Sequence, residues 1–95
     1  MSELKIGDVV ISTAGRDKNR VYLVIGIGEG KIVLVNGRNV RAEKPKVKNF
    51  KHIIKATETN LGELALRILR GEPVGKERIF RDLRFAAENK KDGTI

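Results

Sequence analysis

Between Ile6 and Ile53 the chain breaks into short β-branched runs that glycine-rich turns separate at close intervals. This punctuation constrains the fold more than any other feature. Val9-Val10-Ile11-Ser12-Thr13, bounded by Gly7 and Gly15, reads as a first strand. Gly15 to Asn19 is a polar turn in which Arg16, Asp17 and Lys18 are expected at the surface. Val21 to Ile27 places Val21, Leu23, Ile25 and Ile27 on one face, with Tyr22, Val24 and Gly26 on the other. A strand apolar on both faces is expected to be covered on both.

Gly28-Glu29-Gly30 then makes a tight hairpin into Ile32-Val33-Leu34-Val35. Asn36-Gly37 is a strong hairpin signal. It predicts a further basic strand over Val40-Arg41-Ala42-Glu43-Lys44, which Pro45 confines to an edge or ends. Phe50 to Lys55 reads as a short fifth strand or a turn. Four or five such strands within about fifty residues predict a small SH3-like β-barrel. An unclosed, strongly twisted sheet satisfies the same pattern.

The pattern changes at Thr59. Asn60 with Glu63 forms a capping pair on paper, and Leu61, Leu64, Ala65, Ile68 and Leu69 make one apolar helical stripe. Gly71 and Pro73 stop that helix. A second helix is expected from Lys76 to about Lys90, with Ile79, Phe80, Leu83, Ala86 and Ala87 inward and Gly93 ending it. The fold class is therefore mainly β with two short C-terminal helices. The division expected is a barrel over residues 1–57 and a helical extension, packed on it, over 58–95.

A 95-residue chain buries roughly 60–65% of its unfolded surface, enough for one modest core. Cysteine is absent, which removes disulfides and thiolate metal sites. The N-terminus lacks the apolar stretch of a signal peptide, and no run approaches the ~18 apolar residues of a membrane span. A cytoplasmic protein with no membrane partner is expected.

The net charge is +8, and its distribution matters more than its size. From Arg38 to Lys55 the basic residues are Arg38, Arg41, Lys44, Lys46, Lys48, Lys51 and Lys55 against Glu43 alone, so this segment carries +6. Lys44, Lys46 and Lys48 alternate, and an extended backbone would set them about 6–7 Å apart on one side. That is near the spacing of successive phosphates, and counterion release would drive binding. The competing reading is an edge strand that lysines guard against aggregation. A second cationic cluster, Arg16, Lys18 and Arg20, follows Gly15, a residue suited to positive φ or to close approach of a phosphate. Its arginines can fork onto phosphates or guanine edges.

Chemistry is harder to place. Gly26-Ile27-Gly28-Glu29-Gly30 lacks the βαβ context of a dinucleotide site. His52 is the single histidine, so no metal site is expected. Asp8, Asp17, Glu29 and Glu43 show no paired arrangement for acid–base work. Neither an enzyme nor a cofactor or small-molecule substrate is expected. Tyr22 and Phe50 are too few for a stacking platform, which favours folded, paired RNA over sequence-reading of single strands.

Gly7-Asp8-Val9-Val10, Thr13-Ala14-Gly15-Arg16, Tyr22-Leu23-Val24-Ile25, Val33-Leu34-Val35 and Lys51-His52-Ile53 together resemble the KOW motif of ribosomal and transcription-elongation proteins. More closely, this half of the chain is similar to the large-subunit ribosomal protein family numbered fourteen-e. Leu61 to Gly71 and the helix after Pro73 depart from the archaeal and eukaryotic ribosomal members. They look instead like the short bacterial KOW-domain RNA-binding proteins related to that family. The resemblance implies an SH3-like barrel, binding to RNA, ribosomal RNA above all, and work on the ribosome in translation. By position it matches Gly15 and Arg16 to the family's loop and the lysines before His52 to its basic segment. The expected RNA contacts are Gly15, Arg16, Lys18, Arg20, Arg38, Arg41, Lys44, Lys46, Lys48, Lys51 and His52, with ribosomal proteins as further neighbours. The alternative is a protein-interaction module of the translation or transcription machinery without stable RNA binding.

Overall fold

Alternate residues of the central strands face two separate apolar layers, and that division organises the molecule. The structure, a computed structural model, describes residues 3–88. Its strands are β1 (Asp8–Ser12), β2 (Val21–Ile27), β3 (Lys31–Val35), β4 (Lys46–Asn49) and β5 (Ile53–Asn60). Helices α1 (Gly62–Leu69) and α2 (Lys76–Glu88) follow. The strands form one antiparallel sheet in the order β4-β3-β2-β1-β5.

On the inner face Val10, Tyr22, Val24, Ile32 and Leu34 pack together with Val40 and Ile53. On the other face Val9, Leu23, Ile25 and Val35 meet Leu64, Ala65 and Ile68 of α1 and Ile79, Leu83 and Ala86 of α2. The double coverage expected for β2 is thus present, inner cluster below and helices above. Gly26 sits at a β2–β3 bulge, where a side chain would crowd Val33 at about 3.0 Å.

β4 and β5 lie four strand spacings apart in this order, roughly 19 Å in a flat sheet. A single 3₁₀ turn, Phe50–His52, nevertheless joins them, and such a turn rises only about 2 Å per residue. The sheet must therefore curl. The Lys48 side chain reaches from β4 to the segment between β1 and β2, its ammonium donating to the Ala14 carbonyl at 3.1 Å. Among the described residues the hydrogen-bonded ladder stays open between β4 and β5.

Several local expectations are corrected. No strand forms over Val40–Lys44, because Asn36 folds this stretch into a closed loop. Its side-chain oxygen accepts from the N–H groups of Arg38 and Val40 at 2.9 Å each. The N–H groups of Asn36 and Gly37 donate to the Val40 carbonyl. Val40 turns into the inner core, and the basic strand starts only after Pro45. The expected Asn60–Glu63 cap is absent too. The Asn60 amide donates to the Ile6 carbonyl and the Asp8 carboxylate, tying β5 to the start of β1, and Leu61 caps α1 without a side-chain bond.

Thr59 does not end the β region: β5 runs to Asn60, across the boundary drawn between residues 57 and 58. Leu69 is 52% exposed and leaves the apolar stripe, because the helix ends there. Gly71, at φ +80, does stop α1: the N–H of Glu72 reaches the Arg67 carbonyl and that of Gly71 the Ile68 carbonyl. In α2 Ile79, Leu83 and Ala86 are buried, whereas Phe80 and Ala87 are half-buried. Lys90 and Gly93 lie outside the described residues. No helix among the described residues is long and apolar enough to cross a membrane.

Candidate nucleic-acid interface

Antiparallel pairing brings the β1–β2 loop (13–20) and the β3–β4 loop (36–45) to the same end of the sheet, since Leu23 faces Val35 and Ile11 faces Val21. The first loop is tightly folded. Ser12 and Asn19 close it, with the Asn19 N–H donating to the Ser12 carbonyl at 2.8 Å and the Ser12 N–H to the Arg20 carbonyl at 3.0 Å. The Lys18 N–H donates to the carbonyl of Gly15, which stands at φ +85.

Asp17, expected at the surface, is buried at the centre of this end, with 6% of its surface accessible. Its carboxylate accepts from Ser12 Oγ at 3.0 Å, Tyr22 OH at 2.9 Å and Lys48 Nζ at 2.8 Å, with Lys46 Nζ at 3.2 Å. Burial by itself would raise its pKa. The hydrogen bonds from Lys48, Tyr22, Lys46 and Ser12 outweigh burial and hold the carboxyl well below the ordinary carboxylate range. Tyr22 is pushed the other way, up to about 12, by burial first and then by its bond to the Asp17 carboxylate and that group's charge, with Arg20 opposing.

This cluster changes the reading of the basic segment. Lys46 and Lys48 share a side of β4, but that side faces Asp17, and the Lys48 side chain is only 13% exposed. Lys44 lies in the preceding loop and does not continue the row, its N–H closing a turn onto Arg41. The row of three lysines thus reduces to a fastening between the edge strand and the β1–β2 loop, with half-exposed Lys46 alone offering a partly solvated charge. His52 is half-buried and its carbonyl accepts from the Thr13 N–H, which sets Lys51, exposed, beside the same loop.

Other cations remain available. Arg16, Lys18, Arg20, Arg38, Arg41, Lys44 and Lys51 are all exposed, and among the described residues none of them makes an ion pair. The helical arginines differ. Arg67, Arg70, Arg78, Arg81 and Arg84 each lie within ion-pair distance of a neighbouring Glu or Asp. Of the described cations without an ion pair, most therefore lie on the two loops and the 3₁₀ turn, and Lys5, Lys31 and Lys76 lie elsewhere.

Arg20 and Arg38 are brought to one cleft of about 250 Å³ whose remaining wall includes Asn36, Phe80 and Arg84. Sequence reasoning missed Phe80 and Arg84 as surface features. Their spacing of four on one helix was the available signal, but it was spent on a core assignment for Phe80. Among the described residues no cluster of His, Asp and Glu could hold a metal ion. The sequence matches no protein-family model and no curated protein.

Proposed function

We propose that this protein is an RNA-binding module that docks on folded RNA, with ribosomal RNA the first target to test, and that it works on the ribosome in the cytoplasm. The carrying observation is the segregation of charge: the arginines that follow β5 all lie against acids, whereas none of the cations of the two loops does. A surface needing only solubility has no reason to leave one end of a sheet unneutralised, whereas an RNA backbone supplies the missing anions. The curl of the sheet, with β4 joined to β5 by one short turn, fits an SH3-like barrel of the KOW kind. The interface consists of Arg16, Lys18 and Arg20 from one loop, Arg38, Arg41 and Lys44 from the other, and Lys51 beside His52. Gly15 shapes the first loop; Lys46 contributes in part, and Lys48 acts through Asp17.

The test is binding of purified protein to ribosomal RNA fragments and to duplex DNA from roughly 50 to 300 mM salt. Preference for RNA that survives the upper end supports specific docking. Equal binding that vanishes with salt would reduce the surface to non-specific charge. Charge reversal belongs at Arg16, Lys18 and Arg20, not on β4, because changing Lys48 would unfasten Asp17 and confound binding with folding. A protein partner is the second reading, favoured by the exposed apolar side chains of Val47 and Ile54. It predicts that partner binding survives the same loop substitutions.

A further inference from the structure

The cleft that holds Arg20 and Arg38 does not end at Phe80. A second depression of about 430 Å³ shares Arg38, Phe80 and Arg84 with it and continues past Gly37 to Lys76 and Glu77. The two form one groove between the β3–β4 loop and α2, crossed midway by a stack of side chains. The Arg38 guanidinium carbon lies 5.4 Å from the Phe80 ring centre, and that of Arg84 lies 5.9 Å from it. These are cation–π distances.

The stack is held in place from below. Asn36 uses its amide wholly within the loop, accepting from Arg38 and Val40 and donating to Asn39. Gly37, at φ +73, lies so close to α2 that a side chain there would collide with the Lys76 carbonyl and with Ile79. Arg38 is thereby presented on a rigid corner, and neither it nor Arg20 nor Lys76 has an acidic partner among the described residues.

We propose that this groove is a pocket for one unpaired nucleotide of the bound RNA. The base stacks on the Arg38 guanidinium, which Phe80 backs, and the flanking phosphates meet Arg20 at one end and Lys76 at the other. Guanidinium planes and aromatic rings are the surfaces on which splayed bases stack. A cleft of about 250 Å³, below the roughly 300–1,000 Å³ of pockets for drug-sized ligands, suits a single base. An acidic peptide would satisfy the arginines yet leave the flat cation–π surface unused. The inference rests on the RNA reading and adds to it a feature that paired RNA cannot supply.

The experiment compares two fluorescein-labelled RNA hairpins with identical stems, one carrying a single-nucleotide bulge and one fully paired. The bulge is also made with 2-aminopurine, whose emission reports stacking. Tighter binding of the bulged hairpin, about 5–150-fold if one base stacks, with a change in 2-aminopurine emission, is expected. Both Phe80→Leu, which keeps an apolar side chain, and Arg38→Lys, which keeps the charge but loses the plane, should bring that ratio close to one. Equal binding of the two hairpins by the wild type overturns the pocket while leaving RNA docking intact. Loss of all RNA binding by the wild type overturns both. Displacement of the bulged hairpin by polyglutamate as readily as by unlabelled bulged RNA would show a general anion groove and refute base stacking.

Discussion

Replacing Asp17 by Asn probes the fastening that joins the curled edge of the sheet to the first loop. The carboxylate offers two oxygens to Ser12, Tyr22, Lys46 and Lys48. An asparagine keeps one acceptor and turns an NH₂ toward groups that are themselves donors. Lys46 is 40% exposed and can turn to water at little cost, as surface pairs generally can. Lys48, 13% exposed, loses a charge-assisted bond of about 1.5–3 kcal/mol. A hydroxyl left without its acceptor costs about another 1 kcal/mol or more. The expected loss is therefore about 3 kcal/mol at pH 7, and for a domain of this size a drop in Tm of roughly 12–24 °C.

Thermal and urea unfolding followed by circular dichroism measures it. The pH dependence gives a second check. Asp17 has a depressed pKa in the folded state, so its contribution is fully present above the unfolded carboxylate value near 4 and fades as pH falls toward the folded one. The gap between wild type and variant should narrow steadily below about pH 4. A loss under 1 kcal/mol at pH 7, or a gap as wide at pH 2.5 as at pH 7, would refute the account of Asp17 as the hub.

Four other outcomes are expected. Tyr22 is raised to about 12, so its folded-state advantage is complete below the unfolded value near 10 and disappears as pH rises between the two; Tyr22→Phe should lack that step in unfolding scans between those limits. Gly37→Ala meets both a left-handed backbone and the wall of α2, and should lower stability by about 2 kcal/mol or more in urea titration. Leu83→Ala opens a hole where α2 packs on the sheet, and about 2–5 kcal/mol should be lost in the same titration. Replacing Arg16, Lys18 and Arg20 together by Gln should shift stability by only about 0.5 kcal/mol in either direction. The same variant should flatten the slope of log affinity for RNA against log salt by up to about 2–3, and an unchanged slope would remove this loop from the interface.

Much of the fold could be read from residues close together in sequence. β2 was expected at Val21–Ile27 and is found there, because a period of two over seven residues is a local property that burial on both faces only reinforces. The buried residues Leu64, Ala65 and Ile68 of α1 and Ile79, Leu83 and Ala86 of α2 follow from the same kind of count at period 3.6. Gly71 as a helix stop needed only its neighbours.

What depended on distant partners was not legible. A lone acid between Arg16 and Lys18 looks like a solvated turn residue until the curl of the sheet brings Lys48, 31 positions away, within 2.8 Å of it. Asn36-Gly37 carries a hairpin signal, but Val40 gains more by entering the inner core than by extending a strand, so a closed loop forms. Asn60 has a capping side chain whose better partners, Ile6 and Asp8, lie at the other end of the chain. The sequence by itself determined β1 to β3, the two helices, most of their apolar faces and the excess of positive charge, since each follows from spacing and composition, whereas the edge strand β4 and the length of β5 did not. Which of those charges stay free, and that Phe80 stands beneath Arg38 in a groove, only the tertiary structure decided, because side chains remote in sequence become partners only when the backbone closes on itself.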